Sequence, residues 1–206
     1  MALDYSALEN LHFKEVFIGQ GIDELLEAIH TLEDYTIILF EGTTHRKIWV
    51  SDDSEVGHSI FVSDTVGKNK DKMLLVDNSS QKTLFLWHID GVMFGKMNMS
   101  KCDCALLNDR RLHFIEFKTD ALNSSESSIK QHYDKACDQL SGTFKQVKQL
   151  YEEHGLSIWS VFEDVTAQAV FDKSVPHDNA YQKSKKKAFL EENHILLTFD
   201  NVMKIE

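Results

Sequence analysis

An α/β fold built on a central mixed β-sheet flanked by helices is the class this sequence predicts. Three observations carry it. Runs rich in β-branched and aromatic residues crowd the first half of the chain, a hairpin-like stretch apolar on both faces occupies residues 101–120, and a long amphipathic helix follows that hairpin directly. A strand apolar on both sides belongs inside a sheet that is covered on both sides. The long helix is the natural cover for one of them.

The elements follow in order. In "GIDELLEAIHTL", residues 21–32, Ile22, Leu25, Leu26, Ile29 and Leu32 fall on one helical stripe with acids on the other faces. Strands are expected at "YTIILF" (35–40), "HRKIWV" (45–50) and "KTLFLWHI" (82–89), the last closed by the turn dipeptide Asp90-Gly91. Ile129, Tyr133, Cys137, Leu140, Phe144, Val147 and Tyr151 then recur at spacings of four and three, predicting a helix over residues 128–154. Ser128 with Gln131 matches a capping box at its start, and Gly155 suits a left-handed residue at its end. "LSIWSVF" (156–162) and "HILLTF" (194–199) read as further strands, with a short helix through "KSKKKAFLEEN" between them and the single proline, Pro176, in a loop.

Composition narrows the function classes. A chain of 206 residues without an internal repeat or a low-complexity linker is expected to form one domain, residues 1–206. Its 42% apolar and 27% charged content is that of a soluble globular protein, and no apolar run is long enough to span a bilayer, so no membrane association is expected. The opening "MALDYSALEN" has no basic region followed by an apolar stretch, so the expected location is cytoplasmic. Cys102, Cys104 and Cys137 lack the spacing of a disulfide framework or a structural zinc site. With a net charge of −11, binding to nucleic acid would need a local basic face, for which "GKNKDKM" (67–73) and "YQKSKKKAF" (181–189) are the candidates. The ten histidines show no zinc spacing, and "DTVGKNK" lacks the glycine spacing of a phosphate-binding loop.

The chemistry is concentrated in "KCDCALLNDRRLHFIEFKTD", residues 101–120. With the turn centred on Asp109-Arg110, Leu107 faces Leu112, Ala105 faces Phe114, and Asp103 falls opposite Glu116. Opposed residues share a face with Cβ atoms about 5 Å apart, and facing carboxylates destabilise a sheet unless a cation or a proton lies between them. A hard cation such as Mg²⁺ uses one or two carboxylates and leaves its other positions to water and substrate phosphate. Lys118, two residues beyond Glu116 on the same face, could then hold or deprotonate a water attacking a phosphorus and stabilise the developing charge. An ordinary cross-strand ion pair between Lys118 and the acids is the competing explanation. Glu116-x-Lys118 is nevertheless the chain's only acid-x-lysine triplet.

Asp103 on one strand, Glu116-Phe117-Lys118 on the next, and a long helix after them resemble the PD-(D/E)xK nuclease superfamily, the restriction-endonuclease-like fold. The resemblance covers residues 101–162 and implies that core with extra N-terminal strands. It implies Asp103 and Glu116 as Mg²⁺ ligands with Mn²⁺ as a substitute, the Phe117 backbone carbonyl as a third ligand, and Lys118 as the residue assisting the attacking water. Gln139 on the helix corresponds to a glutamine that some members carry, although Thr143 stands where a tyrosine would be expected. Cys102 replaces the proline of the family name. Glu24 or Glu27 could supply the acid that the family often has on its first helix. The expected activity is Mg²⁺-dependent phosphodiester hydrolysis of nucleic acid, with DNA as the first substrate to test. The alternative is a catalytically inactive member of the fold that acts as a protein-interaction or defence-system accessory protein, and a homodimer or a protein partner fits either function.

Overall fold

The computed structural model describes Leu8 and residues 10–17, 40–63, 65–66, 68–90, 100–108, 110–121, 125–175 and 179–205. The expected helix over residues 21–32, with Glu24 and Glu27, and most of the strand expected at 35–40 lie outside them. Among the described residues the elements are α1 (Phe13–Phe17), β1 (Phe40–Thr43), β2 (Lys47–Asp53), β3 (His58–Val62), β4 (Leu74–Asp77), β5 (Leu84–His88), β6 (Cys104–Leu107), β7 (Arg111–Lys118), α2 (Glu126–Glu153), α3 (Ile158–Val161), β8 (Asp164–Phe171), α4 (Ala180–Asn193), β9 (Leu196–Thr198) and β10 (Val202–Lys204).

The strands form two sheets. The larger has the order β1-β5-β6-β7-β8-β9 and the smaller β10-β4-β2-β3. In the larger sheet β1, β5, β6 and β7 pair antiparallel, whereas β7, β8 and β9 are parallel. Parallel neighbours need crossovers, and α2 and α4 supply them. The fold is therefore α/β with a mixed sheet flanked by helices, and the 101–120 hairpin lies at the sheet's centre as expected.

Both faces of the larger sheet are covered, by different means. Leu112 and Phe114 of β7, Ala105 and Leu107 of β6, and Val165, Ala167, Ala169 and Phe171 of β8 join the core that contains Tyr133, Leu140, Phe144 and Val147 of α2. Ile115 and Phe117, Cys104 and Leu106, and Leu84 and Leu86 face the other way and pack with Ile48, Val50, Leu74, Val76 and Met203 of the smaller sheet. This second layer explains why the hairpin is apolar on both sides. The aromatic cluster of Phe13, Phe17, Phe40 and Trp87 extends the helix-side core, and Tyr151 donates a 2.8 Å hydrogen bond to the Leu11 carbonyl.

The long helix starts at Glu126 and its cap lies three residues before the expected Ser128: the Ser125 Oγ accepts from the Ser128 N–H at 3.3 Å. Gly155 has φ of +72°, the left-handed conformation expected there. Of the helix stripe, Tyr133, Leu140, Phe144, Val147 and Tyr151 are buried, while Ile129 and Cys137 are half-buried.

One strand is misplaced by the sequence reading. Residues 156–162 contain the short helix α3, which buries Ile158 and leaves Trp159 exposed, and the strand follows at Asp164–Phe171. In "DVTAQAVF" the inward positions include two alanines, which let α2 approach but carry little strand propensity. Eight parallel pairs with β7, from Arg111↔Asp164 to Lys118↔Phe171, hold it as a strand regardless.

Candidate active site

The β6–β7 register is the one expected: Leu107↔Leu112, Leu106↔His113, Ala105↔Phe114 and Cys104↔Ile115. The next step would set Asp103 against Glu116, but the ladder ends at Cys104. There the Asp103 carbonyl accepts both the Ile89 N–H (3.3 Å) and the Asp90 N–H (3.1 Å), while its carboxylate Oδ2 accepts the Phe117 N–H at 2.5 Å. A side chain thus replaces backbone at the end of the ladder. Asp103 is tied to β5 on one side and to β7 on the other.

Glu116 is 0% exposed. Its Oε1 accepts from the Lys118 ammonium, and its Oε2 is buried without a hydrogen-bond partner among the described residues. Burial, reinforced by Asp103, pushes the Glu116 carboxyl up to about 8, against the pull of Lys118 and the Asp103 backbone N–H. Burial likewise raises Asp103 to about 7, with the Phe117 N–H and Lys118 opposing it and Asp52 and Asp90 adding to it. The Lys118 ammonium also lies 3.4 Å from the Phe117 carbonyl. Asp103, Glu116, Phe117 and Lys118 therefore converge at one end of β7, two acids competing for one cationic side chain.

Gln139 is placed elsewhere. Its Nε2 donates to the Lys101 carbonyl at 2.6 Å, and its Oε1 is buried without a partner among the described residues. One turn on, Thr143 Oγ1 accepts the Cys102 N–H at 2.8 Å, and an added Cβ at Gly142 would meet the Ser100 carbonyl at 3.1 Å. Residues 139, 142 and 143 share one face of α2. That face clamps the segment that delivers Asp103, so Gln139 is a positioning residue in this geometry.

The site also draws on Asp52, which sequence reasoning missed. It shares the face of Ile48 and Val50 but lies at the exposed end of β2, where partial desolvation, with Asp90, raises its carboxyl. The alternation along β2 gave its face, but no local spacing ties β2 to β7. Beside it a cleft of about 320 Å³ is lined by Asp52, Asn69, Lys68, Lys72, Thr119 and Asp120. Lys72 lies 3.4 Å from Asp120 and Lys68 lies 3.8 Å from Asp53, so Lys72 borders the strand end that carries Lys118.

Among the described residues no three or more His, Cys, Asp or Glu side chains come close enough to hold a metal ion. A cation here would rest on Asp103 and Glu116 with the Phe117 carbonyl, a set within the one or two carboxylates that Mg²⁺ commonly takes. The unpartnered, buried Glu116 Oε2 fits that use. No helix among the described residues is long and apolar enough to cross a membrane. The chain matches no family model, no curated protein and no solved structure.

Proposed function

We propose that this protein hydrolyses phosphodiester bonds of nucleic acid, with DNA as the expected substrate, at a divalent-metal site of the PD-(D/E)xK type. The observation that carries the reading is the half-buried Asp103 beside the fully buried Glu116, with Lys118 next to them and one Glu116 oxygen unpartnered. Such a pair is costly to fold, and burying like charges is a price that functional sites pay. Asp103, Glu116 and the Phe117 carbonyl would hold Mg²⁺ or Mn²⁺, which when bound polarises a phosphoryl oxygen. Phe117 fixes the Asp103 carboxylate through its N–H. Lys118 orients the attacking water and offsets the charge that builds on the phosphoryl oxygens. Gln139 and Thr143 hold the strand entry in register.

The test is incubation of purified protein with supercoiled, linear and single-stranded DNA and with RNA, in Mg²⁺ or Mn²⁺ against EDTA. Metal-dependent cleavage that Lys118→Ala abolishes supports the proposal. A second reading, a non-catalytic interaction protein, is favoured by the Lys118–Glu116 ion pair and the net charge of −11. Cleavage of none of the four substrates with either metal would select it.

A further inference from the structure

The connections β7-α2-β8 and β8-α4-β9 bring the starts of α2 and α4 to the end of the sheet where Glu116 and Lys118 lie. Ligands of open α/β sheets bind at that end of the parallel strands. A groove of about 680 Å³ opens there between the two helices, its lining including Glu126, Ile129, Lys130, Tyr133, Asn179 and Tyr181. Its volume is in the range of small-molecule sites. The groove adjoins the catalytic strand through two contacts: Lys118 pairs with Phe171, and the Phe171 ring lies 4.6 Å from that of Tyr133.

We propose that this groove is a base-stacking subsite for single-stranded nucleic acid, with Tyr181 as the platform and Lys130 and Lys185 as phosphate contacts. The identity of the substrate as nucleic acid rests on the function proposed above. Tyr181 is half-buried, and its hydroxyl donates to Asp134 Oδ1 at 2.7 Å, which fixes the ring. The ammonium groups of Lys130 and Lys185 lie 5.7 and 5.4 Å from the ring centroid. Their side chains are 44% and 30% exposed, paired with Glu126 and Asp134, so each can turn its head to a phosphate. Residues 180–188 hold four lysines and no acid, in a chain of net charge −11. Glu126 and Asp134 balance Lys130 and Lys185 at the groove, so the positive excess beside it comes from the other lysines of 180–188. An aromatic face flanked by lysines is the chemistry that tracks a single strand, because a base is free to stack on protein only when it has left its own stack.

Fluorescence anisotropy in EDTA, with labelled single-stranded DNA and RNA and the same sequence as duplex, reads binding apart from hydrolysis. The parent should bind single strands more tightly than duplex. Tyr181→Ala and Tyr181→Leu, the latter filling the groove wall without a π-face, should each weaken single-strand binding about tenfold, and Tyr181→Phe should stay within twofold. Lys185→Gln should reduce the slope of log K against log salt by about 0.7. Unchanged binding by Tyr181→Leu, or equal losses for duplex and single strand, would overturn the groove. Metal-dependent cleavage with Tyr181-independent binding removes the groove and keeps the hydrolytic site. Tyr181-dependent binding without cleavage does the reverse, and absence of both removes both.

Discussion

Replacing Glu116 by glutamine should make the metal-free protein more stable at alkaline pH and leave it nearly unchanged in acid. The wild-type carboxyl is fully buried, and its folded-state value of about 8 lies well above the ordinary 4.5. Because the folded value is the higher one, the folded chain holds an extra proton between those limits. Stability is then complete below about pH 4.5 and falls as the pH rises to about 8. At ~1.36 kcal/mol for each pH unit, the full loss is roughly 5 kcal/mol. Glutamine keeps the side-chain oxygen for Lys118 and never ionises, but it also deprives Lys118 of a counter-charge. The net gain at pH 8 should therefore be smaller, about 2–4 kcal/mol, or a rise in Tm of roughly 5–15 °C. Urea unfolding followed by tryptophan fluorescence, in EDTA at pH 5 and pH 8, measures it. A difference independent of pH, or a variant less stable at pH 8, would refute the reasoning.

Lys118→Ala should lower the single-turnover cleavage rate by about 100-fold at saturating metal, and Lys118→Arg should not rescue it fully, because a planar guanidinium cannot reproduce a compact ammonium. Thr143→Val removes the acceptor of the buried Cys102 N–H and should cost about 1–3 kcal/mol in urea unfolding, most of it recovered by Thr143→Ser. Burial holds His113 and His88 down to about 4, below their ordinary 6.5. These histidines contribute stability above pH 6.5 that is lost as the pH falls through 4, so with Glu116 and Asp103 acting in the opposite sense the metal-free protein should keep a nearly level stability between about pH 4.5 and 6.5 and lose it as the pH rises further. His113→Leu should flatten the acid limb of a pH series of unfolding midpoints.

How far the sequence reached depended on whether a signal was local. The β6–β7 register was legible because a two-residue period on both strands and a short polar turn leave one pairing that keeps both faces apolar. That register carried Asp103 to Glu116. The helix stripe was equally local, but the cap expected at Ser128 lies at Ser125. β8 was not legible because Asp164, Gln168 and its two alanines dilute the strand preference of its β-branched residues and its pairing with β7 is set across an intervening helix. The smaller sheet was read only in part. β3, β4 and β10 are short, and Val202 pairs with Leu75 from far along the chain. Asp52 enters the site through that packing, and Gln139 turns toward Lys101 because α2 lies close against Ser100 at Gly142.

The most direct measurement of the central claim is calorimetric titration of Mn²⁺ into the purified protein, its Asp103→Ala variant and its Glu116→Ala variant, each checked for folding by circular dichroism. The account predicts one ion bound per chain by the parent and at least tenfold weaker binding by each variant. Folded variants that bind Mn²⁺ as tightly as the parent would contradict it.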